Sequence, residues 1–262
     1  MELVTYELEG PVALIGLNRP QKRNAINEAV IAALHAAVQR AGEEADVGVI
    51  HGCGEHFCAG LDLAEMLARV TGEKKPRRKR QRHPWHAAFD LIARGPIPFV
   101  AALQGAVVGG GLELATAAHI RVADETAFFG LPEGQRGIFV GGGGTVRIQR
   151  IVGYSVMADM MLTGRILDVH EAHQVHVVRY VTPPGGALGK AKELAHRIAR
   201  NSLETNWKIT NVLPRVNDLS HEDGLFMEYL TANMARGPEA AERLREFVEG
   251  RASALLPANG GS

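Results

Sequence analysis

The stretch QGAVVGGGLELA, at residues 104–115, decides the fold. Its first half continues an apolar run that predicts a strand over residues 98–108. The glycine triplet at 109–111 then leads into a predicted helix over residues 112–118. Backbone N–H groups at a helix start have no intrahelical partner, and a glycine there lets a ligand approach closely. The stretch therefore predicts a buried α/β element with a site for developing negative charge at Gly110.

The rest of the chain alternates between strand and helix patterns. Apolar or β-rich runs predict strands at residues 4–8, 12–17, 47–50, 120–123 and 127–129. Apolar residues at helical spacing predict helices at residues 27–41, 145–162 and 186–251. The first helix has Asn27 as its predicted N-cap and Gly42 as its predicted stop. Strands that alternate with helices over residues 1–180 predict an α/β core.

Composition and charge exclude several classes of protein. The chain has 262 residues, with 29 Lys and Arg against 29 Asp and Glu and 46% hydrophobic residues, which argues against a disordered chain. Two cysteines exclude a disulfide scaffold. Residues 97–118 are long enough to span a bilayer, but Gln104, Glu113 and the glycine triplet would be costly in hydrocarbon. With acids and no apolar segment at the N-terminus, we expect a soluble, cytoplasmic protein.

Further glycine-containing segments lie on both sides of the central stretch. They are EHFCAGLDL at residues 55–63, FGLPEG at 129–134, Gly137 and GGGGT at 141–145. Four shorter pieces accompany them in order, namely LNRP at 17–20, KRNA at 22–25, Val152-Gly153 and LTG at 162–164. Together these segments resemble the enoyl-CoA hydratase/isomerase (crotonase) family over residues 10–180.

The resemblance implies a fold and an assembly. The fold would be α/β, a crotonase-type β/α spiral core with a helical C-terminal region. The core would occupy residues 1–200 and hold the CoA and catalytic sites. Residues 201–256 would form the helical region and serve oligomerisation, as a homotrimer or homohexamer, and residues 257–262 would be a disordered tail.

The resemblance also implies a catalytic site. The N–H groups of Leu61 and Gly110 would form an oxyanion hole for a thioester carbonyl that becomes an enolate. Glu113 would act as general base on water, and Glu133 as the general acid that protonates C2, which requires a raised pKa. Taken alone, Glu113 equally fits a first-turn helix acid, and Glu133 fits an exposed turn residue. The pair favours hydration, because family members with a single glutamate isomerise double bonds or do other enolate chemistry.

Four residues match positions that contact CoA in the family: Lys22, Ala25, Ala59 and Asp62. A solvated lysine and packing alanines are the alternative interpretation. The implied activity is that of an enoyl-CoA hydratase acting on an acyl-CoA thioester, with isomerisation, hydratase-lyase cleavage and thioester hydrolysis as alternatives. No metal or redox cofactor is implied, because coenzyme A is part of the substrate.

Features outside this pattern leave other interpretations open. The basic run KKPRRKRQR at residues 74–82 suits a mobile loop, RNA binding through phosphates, or attraction of the polyanionic CoA. Four residues just after it fit either the wall of an acyl pocket or the core face of a helix: Trp85, His86, Phe89 and Leu91. A zinc site is disfavoured, because the usual ligand spacing is missing from His51, Cys53, His56 and Cys58.

Four residues depart from the family pattern. His119 stands where many members have an acid, so a local ion pair is expected to be missing. Val140, Gly142 and Val146 lie close in sequence to the Glu133 segment. These changes predict a reshaped acyl pocket, and the sequence leaves the acyl preference open among short-chain, aromatic and sulfur-containing groups.

Overall fold

The computed structural model describes residues 2–72, 83–234 and 237–251. The chain forms two compact units, Met1–Arg200 and Asn201–Ser262. The basic run at 74–82 and the expected tail at 257–262 lie outside the described residues, so both stay predictions.

In the described part of the first unit, nine strands form two sheets. The strands are β1 (Val4–Glu9), β2 (Val12–Leu17), β3 (Val47–Gly52), β4 (Phe99–Leu103), β5 (Ala106–Val108), β6 (Ile120–Asp124), β7 (Phe128–Gly130), β8 (Ile166–Asp168) and β9 (Tyr180–Thr182). The larger sheet has the order β1-β2-β3-β4-β6-β9, and the smaller has the order β5-β7-β8. β1 and β2 pair antiparallel as the predicted hairpin, with Val4 opposite Leu17. From β2 to β9 the neighbours in the larger sheet pair in parallel.

Helices cover both faces of the larger sheet. The helices in the described part of this unit are α1 (Glu28–Glu44), α2 (Leu63–Val70), α3 (Pro84–Arg94), α4 (Gly110–Ala115), α5 (Gly144–Thr163), α6 (Val169–Gln174) and α7 (Ala187–Ile198). Because side chains alternate along a strand, Ala13 and Ile15 of β2 enter the main core with residues of α1 and α3. Val12 and Leu14 enter a second core, which is closed by residues of α7. The larger sheet is therefore the middle layer of the unit.

The first predicted helix is confirmed at its start and wrong at its end. Asn27 caps α1, since its side chain accepts a hydrogen bond from the N–H of Val30 at 2.9 Å. Gly42 does not stop the helix, which continues to Glu44. A Cβ at Gly42 would lie 2.8 Å from Cγ of Pro96. The glycine therefore lets the helix pass over Pro96, a packing role that a sequence pattern cannot distinguish from a stop signal.

The predicted strand over residues 98–108 is also wrong as a single element. It is two strands, β4 and β5, which belong to different sheets. Gly105 separates them with a φ of 52°, in the left-handed region that glycine adopts most easily. The apolar run is continuous because both strands are buried, so hydrophobicity does not reveal the break.

Two predicted helical regions are confirmed with changes. The helix predicted at 145–162 is α5, which is interrupted at Gly153 by a non-helical φ of 78°. The region predicted at 186–251 contains α7 and then the helices of the second unit. Those helices are α8 (Leu203–Asn211), α9 (Leu213–Val216), α10 (His221–Met234) and α11 (Pro238–Val248). None of the helices in the described parts of the chain has the length and apolarity needed to cross a bilayer.

Candidate active site

The loop before α2 runs beside the chain that leads into α4. Cys58 and Val107 form an isolated parallel β-bridge. The N–H of Cys58 donates to the carbonyl oxygen of Ala106 at 2.9 Å, and the carbonyl oxygen of Cys58 accepts from the N–H of Val108 at 3.0 Å. Gly60 then comes so close that a Cβ on it would lie 3.1 Å from the nitrogen of Gly110. The two segments named by the oxyanion-hole prediction are therefore neighbours in space.

Leu61 and Gly110 are the two residues whose N–H groups the prediction assigns to the oxyanion hole. Gly110 is the first residue of α4, and its N–H is one of the donors that a helix start leaves unpaired. Within the described residues, neither this N–H nor that of Leu61 donates to a protein acceptor. Both residues line one cavity of about 190 Å³, which Glu113 and Glu133 also line. The structure thus brings all four predicted residues to one cavity.

Glu113 is held by backbone donors. Its Oε1 accepts hydrogen bonds from the N–H groups of Gly142 at 2.7 Å and Gly144 at 2.8 Å, and its Oε2 accepts one from Gly141 at 3.4 Å. Burial raises the pKa of Glu113, and these three donors oppose the rise because they stabilise the ionised form. The glycine segment 141–144 is therefore a cradle for a carboxylate.

Glu133 has fewer hydrogen-bond donors around its carboxylate than Glu113 in the described structure. It precedes a single turn of 3-10 helix, Gly134–Arg136, and is buried. One carboxylate oxygen, Oε1, lies 2.8 Å from where a Cβ of Gly109 would be. Its Oε2 is buried without a hydrogen-bond partner in the described structure. Burial raises the pKa of Glu133 and the charge of Glu113 raises it further, while its own backbone N–H and the charge of Arg136 oppose the rise. The net direction is upward, so this carboxyl group is suited to holding a proton.

The four predicted CoA contacts are not among the described residues that line the cavity. Asp62 forms an ion pair with Arg19 at 3.1 Å, and Arg19 also donates to the carbonyl oxygen of Ala25 at 2.6 Å. Ala59 donates its N–H to the carbonyl oxygen of Arg23 at 2.9 Å, and the side chain of Lys22 is exposed. Asp62 therefore has a structural partner within the chain, while Lys22 remains available to an anion.

Sequence reasoning missed Asn24, which fastens these loops together. Its side chain accepts from the N–H of Arg19 at 2.8 Å and donates to the carbonyl oxygens of Cys53 at 3.0 Å and His56 at 2.7 Å. Its φ of 56° is in the left-handed region, where asparagine is among the tolerated residues. A positive φ leaves little trace in sequence, and only the KRNA resemblance marked this position.

Arg147 is a second residue that sequence reasoning missed. It lies in the first turn of α5, directly after the glycine segment 141–144. Its Nη2 donates to the carbonyl oxygen of Gly142, and its Nη1 donates to Oδ1 of Asp90 at 3.2 Å. Its Nε is buried without an acceptor in the described structure. Its partners are 5 and 57 positions away, and no local pattern connects the three residues.

Trp85 belongs to the buried face of α3 and also lines the cavity. It is buried on α3 with Phe89, and the two rings meet edge to face with centroids 5.5 Å apart. It also lines the cavity, and its ring lies 2.3 Å from where a Cβ of Gly110 would be. Trp85 therefore forms a wall next to the predicted oxyanion hole.

Two of the four residues of the disfavoured zinc site, His56 and Cys58, have hydrogen-bond partners in the described structure. His56 Nδ1 accepts a hydrogen bond from the N–H of Ala106 at 3.1 Å. The Sγ of Cys58 donates to the carbonyl oxygen of Asn24 at 3.2 Å, and burial raises the pKa of this thiol to about 12. Among the described residues, no three potential ligands form a group that could hold a metal ion.

Comparison with known proteins identifies the family. The model of the enoyl-CoA hydratase/isomerase family matches residues 7–251. The chain belongs to the enoyl-CoA hydratase/isomerase family. It is 33% identical over 255 residues to a protein of Rhizobium meliloti named "probable enoyl-CoA hydratase", covering 95% of this chain and 96% of the relative.

Solved structures of the family confirm the crotonase-type fold. A structure from Rhodopseudomonas palustris has 43% sequence identity and a TM-score of 0.86, and the match covers 95% of each chain. An enoyl-CoA hydratase from Thermoplasma volcanium has 29% identity and a TM-score of 0.85, with coverage of 94% of this chain and 98% of the other.

The first departure from the family pattern, His119, lies next to the buried Arg121. His119 Nδ1 accepts a hydrogen bond from the N–H of Phe99 at 3.0 Å. Arg121 donates to the carbonyl oxygens of Ala118 at 2.7 Å and Val177 at 2.5 Å, and it forms no ion pair with any described residue. Burial lowers the pKa of Arg121 to about 10. A histidine here thus accepts the backbone hydrogen bond but gives the buried guanidinium no opposite charge.

The other departures lie around the glycine segment. Gly142 is buried, and a Cβ on it would lie 2.8 Å from the ring of Phe89 and 3.3 Å from the carboxyl carbon of Glu113. Val140 is also buried, whereas Val146 is 46% exposed. A glycine at 142 therefore lets Phe89 and the Glu113 carboxylate approach the same peptide.

Proposed function

We propose that the protein is an enoyl-CoA hydratase, which adds water reversibly across the 2,3-double bond of an acyl-CoA thioester. The observation that carries this proposal is a pair of buried glutamates on one cavity with two backbone donors that have no protein acceptor among the described residues. A site with a single carboxylate would suit proton transfer alone, whereas hydration requires one group to activate water and another to protonate carbon.

The surroundings of the two carboxyl groups support different roles. Glu113 accepts hydrogen bonds from three N–H groups, which favours its ionised form and the role of general base. Glu133 has a buried Oε2 without a partner in the described structure and feels the charge of Glu113. Glu133 is therefore the better holder of a proton and is assigned as the general acid.

The reaction then follows from these roles. Glu113 takes a proton from water while the water oxygen bonds to C3. The electron pair of the double bond moves towards the thioester, whose oxygen becomes an oxyanion that the N–H groups of Leu61 and Gly110 stabilise. Glu133 gives its proton to C2 and completes the addition. Proton exchange with solvent restores both glutamates, and the same steps in reverse remove water.

Substrate binding and assembly are finer parts of the proposal. The exposed Lys22 would contact the phosphates of CoA, and no metal or redox cofactor is required because the thioester itself stabilises the enolate. Trp85 would bound the acyl group. A homotrimer or homohexamer is the assembly that the family resemblance implies.

The proposal is tested with purified protein and a panel of 2-enoyl-CoA thioesters, with product masses read by mass spectrometry. We expect the mass of one water to be gained, and Glu113→Gln and Glu133→Gln each to lower kcat by at least about 100-fold. Glu125→Gln, which alters an exposed glutamate, is the control and should keep wild-type turnover. Full hydration by either site variant would exclude the proposed role of that glutamate, and release of free CoA would indicate hydrolysis or cleavage instead.

A further inference from the structure

We propose that Arg147 is a positioning residue that holds the Glu113 carboxylate in its cradle of backbone donors. Only the effect of Arg147 on catalysis rests on the proposed function. The contact itself is a property of the free protein and can be tested without substrate.

Gly142, one of the residues that form the cradle, is hydrogen-bonded through both its N–H and its carbonyl group. The N–H of Gly142 points to Glu113, with 2.7 Å between Gly142 N and Oε1. The carbonyl oxygen of Gly142 accepts a hydrogen bond from Nη2 of Arg147. The same guanidinium lies against Gly143, since a Cβ there would be 2.5 Å from Nη2. Arg147 therefore fixes the orientation of the peptides that donate to Glu113.

A second anchor ties the arginine to the wall of the cavity. Nη1 of Arg147 donates to Asp90 at 3.2 Å, and the side chains of Arg147 and Asp90 are 16% and 32% exposed. Asp90 lies on α3, the helix that carries Trp85 and Phe89. Arg147 thus connects α3, the glycine segment 141–144 and the start of α5. A lysine could keep the charge but could not make two hydrogen bonds in the fixed fork of a guanidinium.

The charge of Arg147 also acts on Glu113. Burial is the largest influence and raises the pKa of Glu113, while Arg147 opposes the rise. Three other charged groups face this pair: Glu133 lies beside Glu113, and Asp90 and Arg94 of α3 lie near Arg147. Asp90 attenuates the effect of Arg147 on Glu113, because its charge has the opposite sign. Replacing Arg147 and replacing Asp90 should therefore move the pKa of Glu113 in opposite directions.

The first experiment follows the Glu113 carboxyl group in free protein labelled with ¹³C-glutamate. Its resonance is assigned by its loss in Glu113→Gln and is titrated in four proteins: wild type, Arg147→Met, Arg147→Lys and Arg150→Met. In Arg147→Met we expect the titration to move to higher pH by about one unit. Arg147→Lys should keep most of the wild-type pKa. Arg150→Met, which removes an exposed charge from the same helix, should leave it unchanged.

The second experiment measures kcat/KM against pH. In Arg147→Met the acid limb of the kcat/KM profile should move to higher pH together with the Glu113 titration. At pH values below the Glu113 pKa, kcat/KM should be about tenfold lower than in wild type, and at pH values above it the difference should become smaller. Arg147→Lys should keep the limb but lower kcat, because the second hydrogen bond is lost. A loss in Arg147→Met that is equal at every pH, with an unmoved Glu113 titration, would overturn the proposal and leave a structural role.

Asp90→Asn keeps the test decisive if Arg147→Met does not fold. It should move the Glu113 titration to lower pH, and an unchanged or raised titration would contradict the proposal. A wild-type protein that adds no water to any thioester would overturn the proposed function alone, because the ¹³C titration would still report whether Arg147 acts on Glu113.

Discussion

Gly60 sets the distance between the two predicted oxyanion donors. It has a φ of 89°, and a Cβ on it would lie 2.6 Å from the carbonyl oxygen of Val108 and 3.1 Å from the nitrogen of Gly110. Both atoms belong to the backbone, so neither can move aside as a flexible side chain would. A methyl group here would push the loop of Leu61 away from the start of α4.

We therefore expect Gly60→Ala to lower kcat by about 100-fold or more, which is the usual cost of losing one oxyanion donor. Gly72→Ala is the matched control, because Gly72 has a similar φ of 80° and nothing within 4 Å in the described part of the chain. Steady-state kinetics of both variants give the comparison, with circular dichroism to verify folding. Equal and undiminished kcat in the two folded variants would contradict this account of the oxyanion hole.

Individual site residues were predictable to different degrees. Glu113 and Glu133 could be named because each lies in a glycine-containing segment that resembles the family. Arg147 could not be named, because its role depends on a hydrogen bond to the backbone of Gly142 and an ion pair with Asp90 on another helix. Such partners depend on packing between elements that are distant in sequence.

At the scale of helices and strands, hydrophobic patterns predicted the elements except at two glycines, each of which could be interpreted in two ways. Gly42 was interpreted as a helix stop but lies inside α1, and Gly105 divides an apolar run that was interpreted as one strand. In both cases the neighbour that explains the glycine comes from elsewhere in the chain. At Gly42 that neighbour is Pro96.

Substitution by alanine should have opposite effects on stability at two glycines that lie inside helices, Gly42 in α1 and Gly189 in α7. Gly189 lies in α7 with nothing within 4 Å in the described structure, so Gly189→Ala should stabilise the fold by about 1 kcal/mol through helix propensity. Gly42→Ala gains the same propensity but places a Cβ 2.8 Å from Cγ of Pro96, so it should instead destabilise. The free energy of unfolding in urea measures both. A stabilising Gly42→Ala would show that Pro96 can move at no cost.

At the scale of the whole molecule, His119 links stability to pH. Burial lowers the pKa of His119 to about 4, from an ordinary value of 6.5. Burial disfavours the charged ring, and the Nδ1 that would take the extra proton already accepts the N–H of Phe99, so the neutral form is favoured in the folded state. The unfolded chain binds the proton more readily. The stabilising contribution is therefore complete above pH 6.5 and is lost as the pH falls towards 4.

This difference is worth about 3 kcal/mol of unfolding free energy between those pH values. His119→Asn can still accept the hydrogen bond from Phe99, so its stability should depend less on pH across this range. His86→Asn, which alters an exposed histidine, should keep the wild-type dependence. Urea unfolding at pH 7, 5.5 and 4 gives the slopes, and identical slopes in wild type and His119→Asn would exclude this role for His119.

The central claim, that two glutamates add water to an enoyl-CoA, is tested most directly with isotopically labelled water. A 2-enoyl-CoA is incubated with the protein in water enriched in both ¹⁸O and deuterium, and the acyl-CoA product is analysed by mass spectrometry and NMR. We expect ¹⁸O at C3 and deuterium at C2 of the same product, with both labels lost in Glu113→Gln and Glu133→Gln. Deuterium without ¹⁸O, or ¹⁸O in a released carboxylic acid, would contradict the central claim.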